Sequence, residues 1–193
     1  FFYRFLIAYL GIWVISPKRL FTNNWQDELW LVAGGIFGGS LYFFTENTAL
    51  GITQASNVSF IICTAPLLTT ILSLLFYKSE KASKGLIYGS LLALMGVGLI
   101  VFNGSFVLKI SPIGDLLTLL AALSWAFYSL IIKKMAGRYP TIFITRKIFF
   151  YGVLTILPAF LLHPLHPDTV VLLQPAVLFN LLFLAVLASL ICY

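Results

Sequence analysis

Charge is scarce in this chain of 193 residues. Only 9% of it is Asp, Glu, Lys or Arg, where a soluble domain carries about a quarter. Twelve Lys+Arg and six Asp+Glu cannot solvate the surface of a globule this size. A water-soluble globule, a disordered chain and a soluble enzyme built around a charged site are therefore excluded. Cysteine and histidine are almost as rare, with two of each. Cys63 and Cys192 both lie in apolar runs, so they form no disulfide framework and read as small buried hydrophobes. His163 and His166 are each followed by proline, which disfavours the regular helix that would align them as metal ligands. No phosphate-cradling loop, nucleophile elbow or zinc motif is present. No metal, no cofactor and no enzymatic activity are expected.

What the chain has in abundance is apolar residues, 61% of the total. They fall into seven runs near the length of about 20 residues that spans a bilayer: 1–16, 29–50, 55–77, 85–107, 112–132, 141–162 and 175–193. The runs are continuous rather than alternating, which argues against a barrel. The fold class expected is an all-α polytopic membrane bundle. Both ends of the chain lie inside apolar runs, and no signal peptide is visible. It reads as a piece of a longer membrane protein.

The net charge of +6 is not a nucleic-acid signal, because the cations sit between the runs. Loops must alternate sides. Lys18, Arg19, Lys78, Lys81, Lys84, Lys133, Lys134 and Arg138 fall on one side, with Arg146 and Lys147 nearby; Arg4 and Lys109 fall on the other. The first side is cytoplasmic by the positive-inside rule, and the first visible helix then runs from outside to inside.

Within the runs, Gly35, Gly39, Tyr42, Glu46 and Ala49 share one helical face by their spacing. Gly34/Gly38 and Gly35/Gly39 are GxxxG pairs, read as close helix contacts. A carboxylate at Glu46 has two readings, an interfacial solvated group or a proton-exchange or cation-binding group. Ser56, Ser59, Cys63, Pro66, Thr70 and Ser73 form a small, weakly polar stripe. Pro66 tends to kink its helix, and kinked helices often line transporter sites; packing through small residues is the other reading. Gly85, Gly89, Ala93 and Gly96 read as a packing seam. Thr118, Ala121, Trp125 and Tyr128 share a face, either as interfacial anchors or as the wall of a cavity that contacts an apolar or aromatic solute.

The order of motifs resembles the EamA domain of the drug/metabolite transporter superfamily. The residues that carry the likeness are Thr48-Ala49-Leu50-Gly51-Ile52-Thr53-Gln54-Ala55-Ser56-Asn57, then Thr64-Ala65-Pro66-Leu67, then Phe76-Tyr77-Lys78-Ser79-Glu80-Lys81, and then Gly85 to Gly89 and Gly96-Val97-Gly98. Gly114-Asp115-Leu116 through Ser124-Trp125-Ala126-Phe127-Tyr128 is similar to the opening helix of a second repeat. The resemblance implies ten helices in two five-helix repeats, of which this chain holds helices two to eight. Residues 1–107 are then the first repeat and 112–193 the second. Tyr3-Arg4-Phe5 recurs loosely as Thr145-Arg146-Lys147 five helices later, so the second copy is inverted, with Arg4 near the outside and Arg146 near the inside. Thr45-Glu46-Asn47 is more polar than the family's usual stretch, which makes the substrate class less transferable.

The function implied is a secondary transporter, a permease or exporter, that moves a small metabolite or drug-like solute by alternating access. The alternative is a non-transporting integral-membrane subunit or scaffold. Tyr42, Glu46, Asn47, Asn57, Thr64, Pro66, Trp125 and Tyr128 are the substrate-binding candidates, and Arg4 and Arg146 the gate or counter-charge candidates. Expected partners are the solute and the lipid bilayer. A proton or other ion is a candidate for coupling and a homodimer a candidate assembly. The location expected is a bacterial inner membrane.

Overall fold

The structure, a computed structural model, describes residues 2–17, 21–22, 24–77, 84–102, 111–158 and 174–191. Lys18, Arg19, Lys78, Lys81, Lys109, His163, His166 and Cys192 lie outside the described residues, as do the far ends of the 85–107, 141–162 and 175–193 runs. Among the described residues the regular structure is helical and no strand occurs. Backbone polar groups in hydrocarbon must be satisfied within the segment, which a helix does.

The helices are α1 (Phe2–Ile15), α2 (Trp25–Gly35), α3 (Tyr42–Ile52), α4 (Ala55–Ile62), α5 (Ala65–Phe76), α6 (Lys84–Phe102), α7 (Pro112–Ala136), α8 (Thr141–Ile156) and α9 (Pro175–Leu182). A π-helical stretch, Ile36–Leu41, joins α2 to α3, and a second, Phe183–Ile191, follows α9. Two of these stretches are long and apolar enough by themselves to cross a membrane, Ala55–Phe76 and Pro112–Ala136.

Three departures from the sequence reading have local causes. The second helix begins at Trp25 rather than 29, because Asn24 caps it: its side chain accepts from the Gln26 N–H at 3.1 Å, and Asp27 and Glu28 lie in the first turn. The 29–50 run is not one regular helix. Gly38-Gly39-Ser40 sits in the π stretch, where each turn takes an extra residue, so the stripe from Gly35 to Glu46 is interrupted. The 55–77 run is two helices that meet at Cys63–Thr64. Pro66 has no N–H to donate back into α4, and it occupies the first turn of α5, where that loss costs nothing.

The chain forms two compact units. The first holds residues 1–40 and 131–193. In it α8 packs on α1 and on α2. Phe5, Leu31, Met135, Ile144, Ile148 and Phe149 are buried, and the Phe5 and Phe149 rings lie 4.6 Å apart. The closest approach is at Gly35. A Cβ there would come 2.5 Å from the Tyr151 Cβ and 3.0 Å from the Gly152 N. Gly152 in turn has Phe5 at 3.3 Å and the Gly35 carbonyl at 3.5 Å from its missing Cβ. The close-contact reading of these small residues holds at Gly35.

The register gives the helix directions. Glu28 meets Lys147, Gly35 meets Gly152, and Ser40 bonds Thr155 at 2.9 Å. The numbers rise together, so α2 and α8 run parallel. Phe5 meets Gly152, Tyr9 meets Phe150, and the Ser16 carbonyl meets Arg146, so α1 runs against α8. Asp27 meets Arg138, Trp30 meets Lys134, and Gly34 meets Ile131, so α2 runs against the end of α7. These are the directions expected if each of the seven apolar runs crosses once, since runs two and six are then an even number of crossings apart and the other pairs an odd number.

The second unit holds residues 41–130. Ala49, Ala121, Ala122 and Ala126 are fully buried in it. Tyr42 meets Trp125 and Thr53 meets Gly114, so α3 and α7 are antiparallel. Asp115 in the first turn of α7 accepts from the Ser111 N–H at 3.2 Å, and the Ser111 hydroxyl reaches the Ile52 carbonyl at 3.3 Å. That ties the end of α3 to the start of α7. Leu91, Leu92, Met95 and Leu99 of α6 are exposed.

Candidate functional site

All eight substrate-binding candidates fall in the second unit, and both arginines fall in the first. Four of the eight come together. The Tyr42 hydroxyl donates to Glu46 Oε1 at 3.1 Å, one helical turn along α3. The Tyr42 ring lies 5.0 Å from Trp125, and Trp125 lies 5.0 Å from Tyr128. Tyr42 and Tyr128 are buried, while Glu46 and Trp125 are half-buried. The result is a three-ring wall with a hydrogen-bonded carboxylate at one side. Such rings offer π faces to a flat or apolar molecule. The carboxylate offers an acceptor for a proton or a cation.

The other four have surroundings of their own. Asn57 is buried on α4. Asn47 is exposed, and its amide is turned back on the Phe43 carbonyl at 2.6 Å. The Thr64 hydroxyl donates to the Ile61 carbonyl at 2.6 Å, which caps the end of α4. Pro66 lines a cavity of about 250 Å³ with Cys63, Gly85, Gly89, Ser90 and Ala93. The α4–α5 break therefore opens beside the glycine face of α6. That face is not filled at Gly89 or Gly96, where an added Cβ meets nothing within 4 Å.

In the first unit the two arginines sit toward opposite ends of α1. The Arg4 Nε donates to the Ser189 hydroxyl at 2.6 Å. Arg146 is buried and donates to the Ser16 carbonyl. Twelve residues separate Arg4 from Ser16, about 18 Å at 1.5 Å per residue.

Sequence reasoning missed the cluster beside Arg146. Lys147 and Glu28 form an ion pair with side chains only 3% and 14% exposed. Tyr151 also donates to Glu28 Oε1, and the Thr22 hydroxyl donates to Glu28 Oε2 at 2.6 Å. Next to it, Arg138 and Tyr139 bind the two oxygens of the buried Asp27 at 2.6 and 2.9 Å. Lys134 stands 3.7 Å over the Trp30 ring. The capping signal at Asn24 was available to place Asp27 and Glu28 inside the helix. No local signal links residue 28 to residue 147.

Comparison with known proteins follows the same layout. The model of the EamA-like transporter family matches residues 1–102 and 112–193. An uncharacterized transporter of Archaeoglobus fulgidus is 29% identical over 197 residues, which is 100% of this chain and 66% of that protein. A second from the same organism is 26% identical over 169 residues, or 86% of this chain and 56% of the relative. The uncharacterized transporter YdfC of Bacillus subtilis is 35% identical over 107 residues, 54% of this chain and 34% of the relative. The chain thus spans less than two thirds of the length of the curated relatives it matches. No solved structure matches it significantly. With both matched stretches together covering nearly all of its length, the chain belongs to the EamA-like transporter family, whose members are integral membrane transporters and not enzymes.

Proposed function

We propose that the complete protein is a secondary transporter that exports a small metabolite or drug-like solute by alternating access between two inverted five-helix repeats. Residues 1–107 belong to the first repeat and 112–193 to the second. Two family matches with a gap at 103–111 support that division, and the parallel course of α2 and α8 supports single crossings throughout. The observation that carries the reading is the Tyr42–Glu46–Trp125–Tyr128 group. A carboxylate within a membrane helix is costly, and here it lies half-buried beside three rings.

Glu46 couples flux to protons in this reading. Tyr42, Trp125 and Tyr128 form the wall against which the solute rests, Asn47, Asn57, Thr64 and Pro66 contribute further contacts from α3 and from either side of the α4–α5 break, and Arg4 and Arg146 close opposite ends. The basic end with Arg138, Arg146 and Lys147 faces the cytoplasm of a bacterial inner membrane by the positive-inside rule. Comparison of secreted and retained metabolites in cells that lack or overproduce the complete gene tests transport itself, and unchanged profiles across varied media refute it. Glu46→Gln in proteoliposomes of the full-length protein tests coupling. The expected result is loss of pH-driven flux with solute exchange retained, and unaltered pH-driven flux refutes coupling through Glu46.

A further inference from the structure

Three ties gather at one end of the first unit, and each joins the two halves of the sequence. The Ser16 carbonyl after α1 holds Arg146, Asp27 of α2 holds Arg138 and Tyr139, and Glu28 of α2 holds Lys147 and Tyr151. The Asp27–Arg138 tie is half in water, with Arg138 54% exposed, so it is weak. The Glu28–Lys147 pair is almost dry. A buried pair of this kind adds little stability over well-packed apolar side chains, so stability alone does not explain it.

We propose that Glu28 and Lys147 are the gate residues at this end, a role that rests on the transporter reading above. If the two repeats move apart here, the pair separates into an aqueous opening. Each charge then regains hydration as the Coulomb attraction is lost. The two terms oppose, so the closed and open states stay close in free energy. Two apolar side chains would gain nothing from water, and they would hold the end shut.

The test uses the full-length protein in membrane vesicles, with every native cysteine replaced by serine and one cysteine placed at Ser16. The Ser16 carbonyl, not its side chain, carries the tie to Arg146, so the substitution keeps it. The probe is a water-soluble, membrane-impermeant maleimide applied to the side on which position 16 reacts. In Glu28→Met/Lys147→Met the labelling rate is expected to fall about tenfold or more, within the range of ordinary conformational coupling, while thermal stability is kept. In Glu28→Gln, which leaves the Lys147 charge without its carboxylate, labelling is expected to rise. A double variant labelled as fast as the unaltered pair, or faster, overturns the gate. Metabolite export by the unaltered protein is read separately, so intact export with unchanged labelling sinks the gate alone, and absent export sinks the transporter reading.

Discussion

The two units bury polar groups in opposite ways. In the first, Asp27, Glu28 and Lys147 are buried in ion pairs, Arg146 is held by a backbone carbonyl, and the helices touch at glycine. In the second, Glu46 accepts from the Tyr42 hydroxyl on its own helix, four alanines are fully buried, and the glycine face of α6 stands open at Gly89. A charge pair between helices fixes which helices meet and in what register, while the Tyr42–Glu46 bond spans one turn of a single helix and fixes no register between helices.

The comparison breaks most readily at Lys147. Replacing it with methionine leaves Glu28 buried with two hydroxyl donors and the Thr22 N–H but no cation, and the loss of stability is expected at about 3–5 kcal/mol. Thermal unfolding in detergent measures it. A loss below 1 kcal/mol would mean that water reaches Glu28 and that the first unit is no drier than the second. Gly35→Ala comes next. The new methyl meets the Tyr151 Cβ at 2.5 Å and backbone at 3.0 Å, neither of which is a flexible side-chain end, so α2 and α8 must separate. The expected cost is about 1–3 kcal/mol, and a neutral result would show that this crossing is loose.

Tyr42→Phe removes the hydrogen bond to Glu46 and keeps the ring against Trp125. About 0.5–1.5 kcal/mol is expected from the lost bond, with a larger effect on pH-driven flux than on stability. A variant whose unfolding shifts while its flux does not would make the wall a packing feature.

How much of this was legible beforehand follows from the range of each interaction. Helical runs and their order came through because hydrophobic length is a local property. The face from Tyr42 to Glu46 and the face of Trp125 and Tyr128 came through because residues three or four apart along a helix are always neighbours. The Glu28–Lys147 pair did not, because 119 positions separate its members and neither carries a local mark of its partner. The π stretch at Ile36–Leu41 was missed for a different reason. Gly38-Gly39 reads equally well as a contact motif on a regular helix, and only the packed structure shows where the extra residue is taken up. Gly35 alone of the two GxxxG starts makes a contact too close for any side chain.

Gly89→Ala is expected to do least to stability, and it tests the other side of the comparison. An added Cβ meets nothing within 4 Å, and alanine is the better helix former by up to about 1 kcal/mol, so unfolding should shift by less than about 0.5 kcal/mol in the destabilising direction. The same methyl enters the cavity of about 250 Å³ beside Cys63 and Pro66. If that cavity takes part in solute passage, flux falls while stability holds, whereas Gly35→Ala costs stability. If both stability and flux are untouched, Thr64 and Pro66 lose their place among the solute-contacting residues, and the three-ring wall with Glu46 stands as the site by itself.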